Sequence, residues 1–319
     1  MIESVRQVTH KLHGGQALQT NTGRTHQMQS VLVIGATGML GHQCCAQLSQ
    51  RFSVTGTVRG DAGAFSGLPA FRNVQLAGGI STSGLDGLEA LLADLRPHAV
   101  LNCVGVIKQL ASEASSETMI ATNALFPHQL ARLCGLYGSR LIHFSTDCVF
   151  SGAAGNYRER DLTDARDVYG LSKLLGEVTD GNALTLRTSI IGLELNHFLS
   201  LAEWVISNKG GKVRGFTNAI FSGFTTPVLA RLAGDIIASH PDLSGLYHAS
   251  AEPISKYDLV KLINDELKLG IEIEAYPDFR CDRSLDSSRL QDAIGFRAPS
   301  WQHMIAELGS QYAIREQSL

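Results

Sequence analysis

The segment from Val31 to Gly41, VLVIGATGMLG, carries an apolar β-branched run straight into three glycines, Gly35, Gly38 and Gly41, and a helical pattern continues from Gln43 to Leu48. Glycine is needed where a backbone turns sharply and where another group must lie against it. A helix N-terminus at that place offers free N–H groups and partial positive charge to an anion. A Gly-x-x-Gly-x-x-Gly string alone carries little weight. At the first strand-to-helix junction of an alternating chain it marks a pyrophosphate-binding turn. Gly35, Thr37, Gly38, Met39, Leu40 and Gly41 are then the residues expected to line a dinucleotide.

From Ser30 onward, short apolar runs alternate with longer helical patterns, the signature of a parallel sheet covered on both faces. The runs predict strands at Val31–Ile34, Ser53–Val58, Asn73–Leu76, Ala99–Val104, Arg140–Ser145 and Ala183–Thr188. Such an α/β chain folds as a doubly wound parallel sheet of the Rossmann type. After Ile190 the alternation fails, and loop-like stretches rich in Gly, Asn and Ser separate well-marked helices. Thr226 before Pro227 reads as the N-cap of a helix toward Ser239, and Ser255 with Asp258 as a capping pair for a helix closed by Gly270. Gly245–Ser250 reads as a strand returning to the sheet edge. The expected organisation is a flexible tail over 1–29, a dinucleotide-binding domain over 30–189 to which 222–250 returns, and a smaller, interleaved substrate-binding lobe from 190–221 and 251–319.

Composition removes several function classes. With 27 basic and 30 acidic residues and a net charge of -3, the chain has no broad positive field for a phosphate backbone, so no nucleic acid partner is expected. The longest apolar runs, Ala99–Ile107 and Leu184–Leu193, match buried strands and fall short of a bilayer span, so no membrane segment is expected. The 6 cysteines form no Cys-x-x-Cys pair and no zinc-like spacing to histidine. Reduced thiols in a cytoplasmic protein, without a metal, are the expectation.

The chemistry-bearing residues cluster around the fifth strand and the helix that follows it. Tyr169 and Lys173 stand one helical turn apart and so face one ligand. A phenol of reference pKa about 10 is a poor acid–base group near neutrality, and an adjacent ammonium favours its ionised form. Ser145-Thr146-Asp147 ends the fifth strand just upstream, within reach of a loop that could close over a substrate. Arg59 ends the second strand, where an acidic residue would bind ribose hydroxyls. A guanidinium there suits a 2′-phosphate instead, which favours NADPH, although Asp61 nearby keeps NADH open.

Taken together, VLVIGATGMLG, FSTDCVF (Phe144–Phe150), VYGLSKLLGE (Val168–Glu177) and LRTS (Leu186–Ser189) resemble the extended short-chain dehydrogenase/reductases, and within them the dTDP-4-dehydrorhamnose reductases. The similarity runs from about Val31 to the C-terminus. It implies that Tyr169 donates a proton to a substrate carbonyl, that Lys173 holds the nicotinamide ribose and tunes the tyrosine, and that Thr146 hydrogen-bonds the carbonyl oxygen. It also implies that Cys103, Val104 and Gly105 line the cofactor. Lys108, Ser145, Asp147, Asn218 and Arg283 are candidate substrate residues, with Arg283 aimed at a nucleotide diphosphate and Arg280 second to it.

The implied activity is NADPH-dependent reduction of the 4-keto group of a nucleotide-linked 6-deoxyhexose in polysaccharide or glycoside synthesis, the partner being the nucleotide-diphosphate-sugar substrate. Two other readings stay open: an epimerase or dehydratase on the same scaffold, and a cofactor-binding regulatory subunit like the β-subunit of methionine adenosyltransferase. A homodimer also stays open. Dehydratases of this type carry Asp-Glu after the catalytic threonine, whereas Asp147 here is followed by Cys148, with no activating cation among its sequence neighbours. Ile190 stands where rhamnose-type reductases often carry an aromatic residue, which leaves the sugar open.

Overall fold

A computed structural model describes residues 28–107 and 114–317, so Lys108 and nearly all of the expected tail lie outside the described residues. Strand β1 (Ser30–Ile34) passes through the glycine turn into α1 (Met39–Leu48), followed by β2 (Ser53–Thr57), β3 (Val74–Ala77), α2 (Asp86–Leu95) and β4 (Ala99–Asn102). Helix α3 (Ser116–Met119) continues through a π-helical turn, Ile120–Leu125, into α4 (Phe126–Leu136). Then come β5 (Arg140–Thr146), α5 (Val168–Leu175) and β6 (Leu184–Thr188).

The predicted strands all form, with ends shifted by a residue or two, and β10 (Gly245–His248) joins them as expected at the edge beside β6. The result is one parallel sheet of 7 strands in the order β10-β6-β5-β4-β1-β2-β3. Side chains alternate across it. Val31, Val33, Leu101, Ile142 and Leu184 face one apolar cluster with α1, while Leu32, Ile34, Val100 and Leu141 face the other with α2 and α4.

The rest of the chain departs from the loop-like expectation. Strand β7 (Ile190–Ile191) pairs with β9 (Phe224–Thr225). Helix α6 (Leu201–Ser207) leads to a long strand, β8 (Lys212–Phe221), which pairs with β11 (Ile254–Ser255) on one side and β12 (Glu272–Asp282) on the other. Helix α7 (Thr226–Ser239) starts one residue earlier than expected, with Thr225 as N-cap, and packs against α1. In α8 (Lys256–Leu267) Ser255 caps through its hydroxyl as read from the sequence, but Lys268, not Gly270, supplies the left-handed C-cap. Helices α9 (Ser288–Ile294) and α10 (Trp301–Gln317) close the chain. Among the described residues no helix is long and apolar enough to cross a membrane.

One close approach holds α5 in place. Gly176, just past α5, lets the backbone of Asn123 in the π turn come so near that an added Cβ would overlap the Asn123 carbonyl oxygen and lie 3.0 Å from its carbon. Overpacking of this kind costs about 1–3 kcal/mol. Gly176→Ala is expected to lower the unfolding midpoint in urea with an unchanged slope, and wild-type stability in the variant would refute this account of the α5 contact.

Candidate active site

The turn after β1 is built for close contact. Gly35 has φ +81, and a Cβ there would stand 2.7 Å from the Val104 side chain. A Cβ on Gly41 would overlap the Gly35 carbonyl, so α1 can begin tight against the turn only without one. The Thr57 hydroxyl accepts from the Gly35 N–H at 3.1 Å and ties the turn to β2. Gly38 occupies the N-cap of α1 with no side chain in the way. The cradle fits a dinucleotide pyrophosphate: bare backbone at a helix N-terminus, walled by Cys103 and Val104 at the end of β4. Arg59 is exposed just beyond β2, while the Asp61 carboxylate accepts from the Gly63 N–H at 3.0 Å and caps a short 3-10 turn. Gly78 packs that turn closely, since a Cβ there would approach the Gly60 carbonyl oxygen to 2.9 Å.

Next to this cradle the end of β5 meets α5. Asp167 caps α5 by accepting from the Gly170 N–H at 2.8 Å, which sets Tyr169 and Lys173 on the face turned to β5. The Lys173 ammonium is buried and donates to the Phe144 carbonyl at 2.7 Å. Burial pulls it down from 10.5 to about 8, and the nearby Glu177 only partly restores it. Tyr169 hydrogen-bonds Thr146, and burial pushes its phenol above the ordinary value, so the group rests as an acid. Thr146 also accepts from the Cys148 N–H at 3.1 Å, and Asp147 beside it is buried with its carboxyl raised by desolvation, against the pull of Arg283. A Cβ on Gly105 would lie 3.9 Å from the Lys173 amine, so the β4 loop passes directly over it.

Two residues not singled out in the sequence position this junction. Asn123, in the π turn, accepts from the Val106 N–H at 2.8 Å and donates to the Val106 carbonyl at 3.1 Å and the Ser172 hydroxyl at 3.2 Å, binding the β4 loop to α5. Asn102 accepts from the Val104 N–H at 3.2 Å and donates to Nδ1 of the fully buried His143 at 3.1 Å. Burial, with the Lys173 charge next, holds His143 well below its usual value, so it stays neutral. A π turn is a recurrent mark of functional sites, but nothing in the sequence around Asn123 announces one.

The candidate substrate residues separate. Arg283 reaches the site: its Nε donates to the Phe150 carbonyl at 2.7 Å, and it lines a cleft of about 580 Å³ with Cys148, Ser151, Asp164, Arg166 and Asp167. Its charge also acts on Cys148, which corrects the expectation that the thiol has no cation nearby. Ser145 is otherwise engaged, since its hydroxyl donates to Glu177 at 2.7 Å and points into a buried network behind β5. There Glu177 takes Arg187 in two hydrogen bonds, at 2.7 and 2.8 Å, and the Arg187 guanidinium lies 5.3 Å over the Phe150 ring. Asn218 is exposed on β8 and donates to the Pro277 carbonyl at 2.8 Å. Cys44 and Cys103 carry free thiols 3.9 Å apart beside the cradle. Among the described residues no group of three His, Cys, Asp or Glu is arranged to hold a metal.

The model of the RmlD substrate binding domain family matches residues 28–314. The chain belongs to this family of extended short-chain dehydrogenase/reductases. It is 26% identical over 247 residues to a dTDP-4-dehydrorhamnose reductase of Aggregatibacter actinomycetemcomitans, covering 70% of this chain and 84% of that one. It is equally similar, 26% over 295 residues and 84% of both chains, to methionine adenosyltransferase 2 subunit beta of Bos taurus. Among solved structures, a hypothetical dTDP-4-dehydrorhamnose reductase from Sulfolobus tokodaii matches with TM-score 0.70 at 26% identity, covering 86% of this chain and 98% of that one. A reductase of the same name from Bacillus anthracis, in complex with NADP, matches with TM-score 0.74 at 18% identity, over 89% and 99% of the two chains, and so shares the fold.

The Lys173 shift fixes a pH dependence for the family member in hand. A buried lysine whose folded pKa lies below its unfolded one penalises the protonated fold. Between about 8 and 10.5 the unfolded chain binds the extra proton, so stability rises with pH across that window. The full effect is on the order of 3 kcal/mol. Urea unfolding of the cofactor-free wild type and of Lys173→Met at pH 7 and pH 10 is expected to show wild type gaining on the variant across this window, the opposing drift from the buried thiols of Cys44, Cys45 and Cys134 being common to both. An identical pH profile in the variant would mean that Lys173 is solvated.

Proposed function

We propose that this chain is an NADPH-dependent oxidoreductase of the cytoplasm that reduces the 4-keto group of a nucleotide-linked 6-deoxyhexose for polysaccharide or glycoside synthesis. The observation that carries the reading is the junction of buried Thr146 and Lys173 with half-buried Tyr169, set between the glycine cradle and a cleft bearing Arg283. The relatives named dTDP-4-dehydrorhamnose reductase support the substrate class.

A bound nicotinamide supplies hydride. Tyr169 is the proton donor to the carbonyl oxygen, and Thr146 steers that oxygen with its hydroxyl. As the phenol loses its proton, the buried Lys173 ammonium stabilises the phenolate more than it stabilised the neutral ring, and only such differential interactions lower a barrier. Lys173 spends one N–H on Phe144 and keeps others for the nicotinamide ribose. Met39 and Leu40 in the first turn of α1, Thr37 in the loop and Gly105 over Lys173 complete the proposed cofactor contacts. Arg283 offers its remaining guanidinium N–H groups to the diphosphate, and Asp147 lies at the sugar end.

Two observations weigh on the cofactor and on the competing readings. Arg59 is exposed where a 2′-phosphate would lie, and Asp61 is engaged in capping, which supports NADPH. Relatives named as a methionine adenosyltransferase subunit match up to 84% of the chain against 73% for the reductases, so a cofactor-binding subunit is the second reading. A half-buried acid with a buried amine and hydroxyl beside an open cleft favour catalysis over it.

Incubation with NADPH and a panel of nucleotide-linked 4-keto-6-deoxyhexoses is expected to consume cofactor and yield the 6-deoxyhexose. Tyr169→Phe should abolish turnover with cofactor binding nearly intact. Dehydration of a nucleotide-hexose without net cofactor use, or no turnover on any substrate despite tight cofactor binding, would overturn the proposal. Arg59→Ala is expected to weaken NADPH by roughly ten- to a hundredfold, the loss of one charge-assisted contact, while leaving NADH little changed. Equal NADPH affinity in the two proteins would remove Arg59 from the cofactor site.

A further inference from the structure

Helix α1 lies on the sheet with two cysteines on its buried side, and they meet different strands. Cys45 faces β2, where a Cβ on Gly56 would stand 3.1 Å from its sulfur. Cys44, wholly buried, faces the end of β4, and its sulfur lies 3.9 Å from that of Cys103. Both thiols of this pair are free, and Cys103 is half-buried. The two sulfurs stand at contact distance, and a disulfide would bring them to about 2.05 Å, a closure of about 1.9 Å.

The surroundings leave little room for such a movement. The Cys103 N–H donates to the Ile34 carbonyl at 3.0 Å, which ties the residue after β4 to the residue before Gly35. A Cβ on Gly35 would lie 3.5 Å from both the carbonyl carbon and the oxygen of Cys103, and one on Gly38 would lie 3.9 Å from that oxygen. On the other side, Gly41 brings the first turn of α1 against the Gly35 carbonyl. Cys44 and Cys103 therefore bracket the glycine turn, one on the helix that starts from it and the other on its wall. Drawing their sulfurs together moves α1 against the end of β4, and the backbone N–H groups offered to a pyrophosphate shift with it. An interior packed at crystal density passes a displacement of this size on to its neighbours.

We propose that Cys44 and Cys103 form an oxidisable dithiol that gates the dinucleotide cradle: hydrogen peroxide converts the pair to a disulfide, and oxidation and cofactor binding oppose one another. The half-buried Cys103 reacts first. Its sulfur forms an S–O bond as the peroxide O–O bond breaks, which leaves a sulfenic acid and releases one water. The Cys44 sulfur then forms the S–S bond as that S–O bond breaks, and the Cys44 proton leaves with the hydroxide as a second water. The two thiols together give up two electrons, the two peroxide oxygens take them, and no further reagent enters. The contact with Cys103 and burial hold the Cys44 thiol well above the ordinary range, which suits it to the second step, where its target is already in contact, and not to the first. A dinucleotide in the cradle covers the Cys103 wall and shields it from peroxide.

The test exposes the full chain to hydrogen peroxide with and without saturating NADP, reads the intact mass, and alkylates the remaining thiols for a peptide map. Wild type without cofactor is expected to lose about 2 Da and to yield a peptide joining Cys44 to Cys103, and to do so more slowly with NADP bound. Its affinity for NADPH, followed by fluorescence titration, should fall by roughly tenfold or more, the loss of about one charge-assisted hydrogen bond to the pyrophosphate, and return on treatment with dithiothreitol. Cys44→Ala should stop at the sulfenic acid on Cys103, which dimedone traps. Absence of the joined peptide at a peroxide dose that oxidises the cleft thiol of Cys148, or its presence with NADPH affinity unchanged, would overturn the proposal.

Discussion

A charged amine kept out of water is the most demanding element of this molecule. Transfer of an isolated ammonium into an apolar interior is so costly that the group ordinarily loses its proton instead, and Lys173 is displaced far in that direction. What keeps it there is a frame of fixed neighbours. The Phe144 carbonyl accepts its hydrogen bond, Asp167 caps the helix that carries it, and Gly176 lets that helix sit against the π turn. The sheet supplies rigidity: every residue of β5 from Arg140 to Thr146 is buried, and the strand is paired on both sides. Catalytic geometry on a strand end and a packed helix is held more firmly than geometry on loops.

The parts of the molecule written in local pattern were legible. The glycine turn, the strands of the parallel sheet and the capping pair at Ser255 each depend on residues within a few positions of one another. The residues that surround the reaction from a distance were not. Strand β12 reads EIEAYPDFRCD, with a proline and four acidic residues and only partial burial, so neither alternation nor β-branched enrichment marks it. Its partner β8 begins 60 positions earlier at the Lys212 to Glu272 pair, and that pairing creates the second sheet. Asn123 gave no signal because its role depends on a π turn that brings it to Val106 and Ser172. Ser145 shows the converse case. Adjacency to Thr146 suggested substrate contact, but successive residues of a strand face opposite sides of the sheet. Ser145 therefore points away from Thr146, and its hydroxyl donates to Glu177. Arg283 was found for its residue type and place late in the chain, yet its influence on Cys148, 135 positions away, was invisible until the fold brought them together.

Burial holds Lys173 below its ordinary value, and the carboxylate of Glu177, one helical turn away, raises it only in part. A free Glu177 at that distance would hold the lysine protonated well above neutrality. Arg187 takes both of its oxygens, and Ser145 donates to one of them as well. The side chains of Arg187 and Glu177 are only 5% and 7% exposed, and a pair so enclosed contributes less to net stability than its Coulomb attraction suggests, because both ions were dehydrated to make it. The same network places the Phe150 ring under the Arg187 guanidinium, and the Phe150 carbonyl receives Arg283. One buried ion pair thus borders both the helical turn that carries Lys173 and the residue whose carbonyl holds the cleft arginine.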